Sequence, residues 1–328
     1  MASVVVDRLT KHYGAFRAVN DVSFSVEPGE VFALLGPNGA GKTTTVEILE
    51  GFRSRDGGRV EVLGLDPAHA RTSRELRERM GIVLQELAVE PMLTVREVLS
   101  RNAAYYPNPR PIDEMLEQVG LSEQAGRRVK VLSGGQQRRL DLALGIVGNP
   151  ELVFLDEPTT GFDPSARRGA WDLVRTLTGE GTTVILTTHY MDEAEALADR
   201  VAVITRGEIV ASGPPRSIGG RDLGDVRIRF RLPDRVAFDD LPVHGATLTG
   251  DLVEVHTNRE ISALHDLTGW ALERRVDLVG LSVERLTLED VYLRLTGFEP
   301  SGPVGPTGQV GQVVASGPGT GSRHGRGR

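Results

Sequence analysis

Residues 36–44, GPNGAGKTT, bring three glycines, one lysine and two threonines together after an apolar run. Their spacing fits the phosphate-binding pattern G-x-x-x-x-G-K followed by Ser or Thr. Glycines let backbone N–H groups approach a phosphate chain closely, and a following helix presents its positive N-terminal end to the anion. A lysine ammonium would reach the β- and γ-phosphates, and a threonine hydroxyl would ligate Mg²⁺. The predicted nucleotide-binding residues are Gly36, Pro37, Asn38, Gly39, Ala40, Gly41, Lys42, Thr43 and Thr44, with Thr43 also a metal ligand.

Two acidic residues end the apolar run at residues 152–155, LVFL. The run predicts a buried strand, and Asp156 and Glu157 would lie at its C-terminal end, where α/β sheets place ligands. Asp156 would enter the Mg²⁺ shell, directly or through water, and Glu157 would polarise an attacking water as general base. Paired acidic residues also favour helix N-termini, but a buried strand ending in them beside a phosphate loop argues against that interpretation.

A second glycine-rich stretch, LSGGQ at residues 132–136, precedes a predicted helix at residues 135–147. A donor-rich helix start of this kind suits an anion. The alternative is an ordinary helix with Ser133 as its N-cap, and the pattern alone favours that alternative. The predicted helix buries one apolar stripe and turns Gln137, Arg138 and Arg139 toward solvent.

The elements around these motifs alternate between strand and helix at both ends of residues 1–213, with a helical insert at about residues 87–149. Such alternation predicts an α/β fold with a mainly parallel sheet covered by helices. The short β-branched or alternating runs at residues 4–9 and 22–26 predict further strands, and we expect an antiparallel β subdomain beside the main sheet. Asp163 and Pro164 would begin one of these helices as N-cap and first-turn residue. We expect a nucleotide-binding domain at residues 1–218.

A second, smaller α+β domain is expected at residues 222–298, after the break GPP at residues 213–215. Residues 225–232 alternate apolar side chains with arginines, which indicates a half-buried strand. The closing helix has apolar residues at helical spacing, would pack on its own domain and ends at Gly297. Residues 299–328 are rich in Gly, Pro, Ser and Arg, a composition for which we expect disorder.

The composition excludes several classes of chemistry. The 328 residues contain no cysteine, so thiolate zinc sites, disulfides and cysteine nucleophiles are excluded. A formal net charge of −7 without a lysine-rich run argues against nucleic acid as a partner. No apolar run reaches the ~20 residues of a membrane helix, and the start of the chain lacks the apolar core of a signal peptide. We therefore expect a cytoplasmic protein.

Taken in order, the motifs resemble those of the ATP-binding subunit of ABC transporters over residues 1–213. One departure is Phe162, where the family usually has leucine before the aspartate, and we expect only local repacking there. The residues and segments that carry the resemblance are Tyr13 in KHYG, GPNGAGKTT, Gln85 in VLQE, LSGGQ, LVFLDEP, Asp163 in GFD, and His189 in TTHYMDEA.

The resemblance implies a head-to-tail homodimer around two ATP–Mg²⁺, in which the LSGGQ segment of one chain closes over the ATP of the other. This explains why one chain carries two phosphate-binding segments. Asp163 would carry signals across that dimer, although it is also a predicted helix cap. The residues implied to contact the partner's ATP are Ser133, Gly134, Gly135 and Gln136.

Three further roles follow from the resemblance and not from the residues alone. Tyr13 would stack on adenine. Gln85 would contact Mg²⁺ or the attacking water, and His189 would contact the γ-phosphate and orient Glu157. Without the family context, each has a plainer interpretation as a strand-edge tyrosine, a solvated glutamine and a packed histidine.

A transporter role would need a separate multi-span permease, docked on the helical insert. Residues 286–297, LTLEDVYLRLTG, resemble the ending of daunorubicin-resistance-type ATPases, which pair with ABC-2 export permeases. The expectation is an exporter motor bound to the cytoplasmic face of the membrane through its permease, with a drug-like or other hydrophobic cargo. The alternative is a soluble ABC-type ATPase that works in a cytosolic process without a permease.

Overall fold

A computed structural model describes residues 1–83, 89–219, 226–233, 236–285 and 287–297. Residues 298–328, which include the predicted tail, lie outside this described part. The elements of residues 1–219 are, in chain order, β1 (Val4–Tyr13), β2 (Phe16–Val26), β3 (Val31–Leu35), α1 (Lys42–Leu49), β4 (Gly57–Val62), α2 (Ser73–Arg79), β5 (Met80–Val83), α3 (Val95–Ala103), α4 (Ile112–Gln118), α5 (Gly134–Ile146), β6 (Leu152–Asp156), α6 (Pro164–Gly179), β7 (Thr183–Thr188), α7 (Met191–Leu197), β8 (Arg200–Thr205) and β9 (Glu208–Gly213).

The largest sheet has six strands in the order β5-β6-β7-β3-β8-β9. All neighbouring strands are parallel except β9, which runs antiparallel to β8. Every residue of β3 and β7 is buried, as expected for a parallel sheet covered on both faces. The predicted mainly parallel sheet is confirmed, and β3, β6 and β7 all end at the same edge.

A three-stranded antiparallel sheet, in the order β2-β1-β4, covers one face of the large sheet. Its inward residues, such as Leu9 and Val22, form one apolar cluster with Phe32 and Leu34 of β3. This layer confirms the predicted antiparallel subdomain. It also places the end of β1 and the start of β2 beside the loop that follows β3.

The described part of the insert, from residue 89 onward, contains α3, α4, α5 and short 3₁₀ turns, as the sequence predicted. Thr94 with Glu97 and Ser133 with Gln136 form capping boxes that begin α3 and α5. The helices share an apolar cluster with the other face of the large sheet. Phe162 is buried in the same cluster, and the expected local repacking at that position stays a prediction.

The strands and helices after residue 225 are β10 (Val226–Arg231), β11 (Ala246–Thr249), β12 (Leu252–Thr257), α8 (Glu260–Arg274), β13 (Ser282–Arg285) and α9 (Leu288–Thr296). The four strands form a second, antiparallel sheet in the order β11-β12-β10-β13. Residues such as Ile228 and Val255 form a separate apolar cluster with α8. The opposite face pairs arginines with carboxylates, for example Arg229 with Glu254 at 2.8 Å.

The sequence did not predict β11, and it placed the closing helix on its own domain. The helix α9 instead packs against α7 and β8, because Leu288 is fully buried in the cluster that covers the large sheet. The backbone N–H of Leu288 donates to the carboxylate of Glu195 at 2.9 Å. Gly297 ends the helix in the left-handed conformation, as predicted. The domain boundaries at residues 218 and 222 stay a prediction.

No helix in the described ranges is both long and apolar enough to cross a lipid bilayer.

Candidate active site

The loop between β3 and α1 is the centre of the site. Gly39 and Gly41 have φ angles of 78° and 106°, in the region that favours glycine. A Cβ on Gly41 would lie 2.4 Å from the backbone oxygen of Ala18, so no other residue fits there without a shift. The Lys42 side chain is buried and folds back over the loop, where Nζ donates to the carbonyl oxygens of Gly36 at 2.6 Å and Pro37 at 3.2 Å.

Backbone hydrogen bonds from neighbouring elements also hold the loop between β3 and α1. The backbone N–H of Gly207, in the β8–β9 turn, donates to the carbonyl of Ala40 at 2.9 Å. The carbonyl of Gly207 in turn accepts from the N–H of Asn20 in β2 at 2.8 Å. One turn therefore connects the loop to both sheets.

Two carboxylates reach the same edge of the sheet from β6. Asp156 is the last residue of β6 and accepts a hydrogen bond from the hydroxyl of Thr187. Glu157 follows with a φ of 47°, and its N–H donates to the carbonyl of Thr187 at 3.0 Å. Its Oε1 lies 3.1 Å from Nδ1 of His189, which directly follows β7. The structure thus brings Glu157, the predicted general base, into contact with His189, the residue expected to orient it.

Burial and neighbouring charges have opposite effects on the pKa of Lys42. Burial lowers the pKa of Lys42, and the nearby negative charges of Glu157 and Asp156 oppose that shift. The ammonium and the two carboxylates therefore share one electrostatic environment, which links the phosphate loop to the acidic end of β6.

A pocket of about 210 Å³ joins these groups. Tyr13 and Phe16 form its aromatic end, and Phe16 was not predicted because nothing in its sequence neighbourhood distinguishes it from any other strand residue. The guanidinium carbon of Arg53 lies 5.3 Å from the centre of the Tyr13 ring. The lining residues are Tyr13, Phe16, Ala18, Asn38, Gly39, Gly41, Lys42, Thr43, Thr44, Asp156 and Glu157.

Several predicted site residues do not line this pocket. Ser133 accepts from the N–H of Gln136 at 3.3 Å, and Gln136 Oε1 accepts from the N–H of Ser133 at 3.0 Å, so within the chain they cap α5. A Cβ on either Gly134 or Gly135 would meet open space. Asp163 caps α6 by accepting from two backbone N–H groups at 2.8 and 2.9 Å. Gln85 lies outside the described residues.

The sequence prediction for Arg138 was wrong. Its side chain was expected to face solvent, but only 11% of it is exposed, because it turns back toward the residues that follow β6. Three buried carboxyls in the described residues were also missed. They belong to Glu50, the residue after α1, to Asp141 in α5 and to Glu193 in α7. A long polar side chain on a short amphipathic helix gives no periodic signal of its burial.

A phosphate-binding loop between a strand and a helix, with an Asp–Glu pair at the end of a neighbouring strand, defines a P-loop nucleotide-binding protein. The residues fit a nucleoside triphosphate, because a buried ammonium faces a glycine loop and a Cβ at Gly39 would meet only open space.

Residues 19–160 match the family model described as ABC transporter. Residues 226–287 match a second family model, described as ABC transporter domain-containing protein-like, C-terminal domain. Nod factor export ATP-binding protein I of Paraburkholderia xenovorans is 39% identical, over 91% of this chain and 98% of that protein. Daunorubicin resistance ATP-binding protein DrrA3 of Streptomyces coeruleorubidus is 37% identical, over 90% and 96%. Linearmycin resistance ATP-binding protein LnrL of Bacillus subtilis is 34% identical, over 89% and 97%.

Solved structures agree with these relatives. An ATP-binding subunit of an ABC transporter has a TM-score of 0.60 at 25% identity, covering 65% of this chain and 90% of that chain. A nucleotide-free ATP-binding cassette from an ABC transporter has a TM-score of 0.57 at 26% identity, covering 65% and 92%. The chain belongs to the family of ABC transporter ATP-binding proteins. It is an ATPase that couples ATP hydrolysis to transport.

Proposed function

We propose that this chain is the motor subunit of an ABC exporter, which works as a head-to-tail dimer and drives a separate membrane permease. The observation that carries the proposal is the 3.1 Å contact between Glu157 and His189 at the same sheet edge as the buried Lys42. Relatives named for export or drug resistance, similar over about nine-tenths of the chain, support the exporter assignment.

The residues divide the chemistry between them. Glu157 accepts the proton of the attacking water, and His189 holds that carboxylate and contacts the γ-phosphate. Lys42 binds the β- and γ-phosphates, and Tyr13 stacks on adenine. When bound, Mg²⁺ would neutralise charge that develops on the phosphates during hydrolysis.

The metal site fits a cation that arrives with the nucleotide. Within the described ranges, no group of three or more His, Asp and Glu residues is placed to hold a metal ion. Mg²⁺ commonly takes only one or two protein oxygens and completes its shell with phosphates and water. Thr43 and Asp156 supply such oxygens, and Gln85 is the third proposed ligand.

A second chain completes each site in this proposal. The start of α5 is exposed, its glycines face open space, and it does not line the pocket of its own chain. Ser133, Gly134, Gly135 and Gln136 would therefore contact the γ-phosphate bound by a partner. Asp163 lies at the start of α6 and would meet the partner across the same interface.

The permease is proposed to dock on the helical insert, which would hold the protein at the cytoplasmic face of the membrane. Large apolar side chains are exposed on the described part of this insert, including Met92 and Tyr105 at 54% and 74%. A drug-like or other hydrophobic cargo fits relatives named for resistance to daunorubicin and linearmycin, or for Nod factor export.

The test is co-purification of tagged protein from its own detergent-solubilised membranes, with every accompanying chain identified. A multi-span subunit in stoichiometric yield is expected. Tyr105→Glu should lose this partner and keep its ATPase activity, whereas Ile261→Glu, an equally exposed position on α8, should keep both. A soluble partner in place of the multi-span subunit would favour the alternative, a cytosolic ABC-type ATPase, and would reject the exporter.

A further inference from the structure

Arg138 lies on α5, two residues after the LSGGQ segment, and its side chain contacts the end of β6 and the two residues that follow it. Its Nη2 donates to the carbonyl oxygens of Asp156 at 2.9 Å and Glu157 at 3.0 Å. Its Nε donates to the carbonyl of Pro158 at 3.1 Å. One guanidinium thus binds three successive backbone carbonyls of the loop that carries the general base.

Asp141 fixes the direction of that guanidinium. Its Oδ2 accepts from Nη1 of Arg138 at 2.6 Å, three residues further along α5. Only 11% and 10% of the two side chains are exposed, so the pair is shielded from competing water. Burial of the carboxylate is favourable only with such a partner.

The loop needs to be held because Glu157 has an unusual backbone conformation. A φ of 47° is sparsely populated by residues with a side chain and persists only where surrounding contacts enforce it. In this conformation the Glu157 carboxylate lies against His189. The contacts from Arg138 fall on the carbonyls before, at and after this residue.

We propose that Arg138, oriented by Asp141, is a positioning residue for ATP hydrolysis: it holds the 156–158 backbone so that the Glu157 carboxylate faces the attacking water. The inference rests on the proposed role of Glu157 as general base. Arg138 also connects the start of α5 to Glu157, the proposed general base of the same chain. In the proposed function, the start of α5 contacts the nucleotide bound by the partner.

An arginine suits this task better than a lysine. The planar guanidinium carries five N–H donors in a fixed fork. In Arg138, four hydrogen bonds leave Nε, Nη1 and Nη2 in different directions. A lysine ammonium keeps the charge, but it has three donors on one atom and cannot reach the same carbonyls together.

The first experiment compares Arg138→Gln with the matched neighbour Arg139→Gln, since Arg139 makes no hydrogen bond to the loop in the described part of the chain. We expect Arg138→Gln to lower kcat about tenfold or more, with the Kd for ATP within about twofold. Arg139→Gln should stay within about twofold of the parent in both. Parent-like turnover in Arg138→Gln, or an equal loss in both variants, would overturn the proposal.

A double-mutant cycle distinguishes a role of Arg138 in positioning Glu157 from a general loss of structure in the variant. In a Glu157→Gln background the base is already absent, so adding Arg138→Gln should change the single-turnover rate by less than about twofold. A tenfold further loss would mean that Arg138 acts elsewhere and would reject the proposal. If Arg138→Gln does not fold, Arg138→Lys is used in the same cycle, with an expected fall in kcat of about fivefold.

The same variants distinguish a failure of Glu157 as the proposed general base from a failure of Arg138 as its positioning residue. Rapid hydrolysis by Glu157→Gln alone would reject the proposed base and this inference with it. Slow hydrolysis by Glu157→Gln, together with parent-like turnover in Arg138→Gln, would reject only the inference and leave the proposed function in place.

Discussion

Glu50 has an unusual environment for an acidic residue. It follows directly after α1, is 8% exposed, and its carboxyl has no hydrogen bond to another described residue. Burial, and then the negative charges of Asp156 and Glu47, raise its pKa to about 8. Between about pH 4.5 and 8 the folded protein therefore holds a proton that the unfolded chain releases, and the free energy of unfolding falls as pH rises through this range.

Glu50→Gln should remove this dependence, because a glutamine is neutral at every pH. Measured without nucleotide and with chelator, the free energy of unfolding of Glu50→Gln should match the parent at pH 5 and exceed it at pH 9, by on the order of 3 kcal/mol. The exposed Glu117→Gln serves as the control and should follow the parent. A parent-like curve for Glu50→Gln would mean that folding does not raise the pKa of the Glu50 carboxyl.

Lys42 supplies the buried positive charge of the site, so its removal should affect nucleotide binding directly. Lys42→Ala should weaken ATP binding by about ten- to a hundredfold, since a charge-assisted hydrogen bond contributes roughly 1.5–3 kcal/mol. Turnover should be lost. Equilibrium binding of a fluorescent ATP analogue and phosphate release measure the two effects. Lys130→Ala, an exposed lysine on the insert, should change neither, and full activity in Lys42→Ala would contradict the assigned role of the loop.

At the scale of elements, glycines set the distance between α5 and β5. A Cβ on Gly145 would lie 2.3 Å from Cγ2 of the buried Val83, and a Cβ on Gly81 would lie 1.9 Å from the carbonyl oxygen of Gly145. The helix that begins with LSGGQ can therefore pack directly on an edge strand of the large sheet. Close packing of this kind transmits a shift of the helix to the sheet.

Gly145→Ala tests this packing against Gly169→Ala, since both glycines are helical: Gly145 lies in the last turn of α5 and Gly169 lies inside α6. The first should lower the free energy of unfolding by about 1–3 kcal/mol through overpacking. The second faces open space and should raise it by up to about 1 kcal/mol, because alanine is the better helix former. Chemical denaturation of both variants measures the difference. Equal effects in the two helices would show that α5 has room to move away from β5.

Sequence patterns predicted the elements that carry local signals. The apolar runs of β3 and β6, the caps Ser133 and Asp163, and the stop at Gly297 were all predictable, because each depends on a few adjacent residues. The residues Arg138, Phe16 and Glu50 were not predicted. Their roles depend on what the fold brings near them: the guanidinium meets a loop about twenty residues away along the chain, and no spacing rule encodes that contact.

At the scale of the whole molecule, the prediction concerns oligomeric state. Glu157→Gln should bind ATP–Mg²⁺ but hydrolyse it slowly, so it should accumulate as a dimer with two nucleotides between its chains. Sedimentation with and without ATP–Mg²⁺ measures this change. The double variant Lys42→Ala with Glu157→Gln should stay monomeric because it cannot bind the nucleotide tightly. A Glu157→Gln protein that remains monomeric with saturating ATP–Mg²⁺ would reject the head-to-tail arrangement.

The turn at Gly207, which bonds to Ala40 of the phosphate loop and to Asn20 of β2, has a consequence for how nucleotide arrives. These hydrogen bonds are made within the chain and restrict the backbone of the loop, so nucleotide binding should require little further loss of backbone conformational entropy. Association should then be limited by encounter and not by a rearrangement of the loop. The amide protons of Gly207 and Asn20 should accordingly exchange slowly with solvent in nucleotide-free protein.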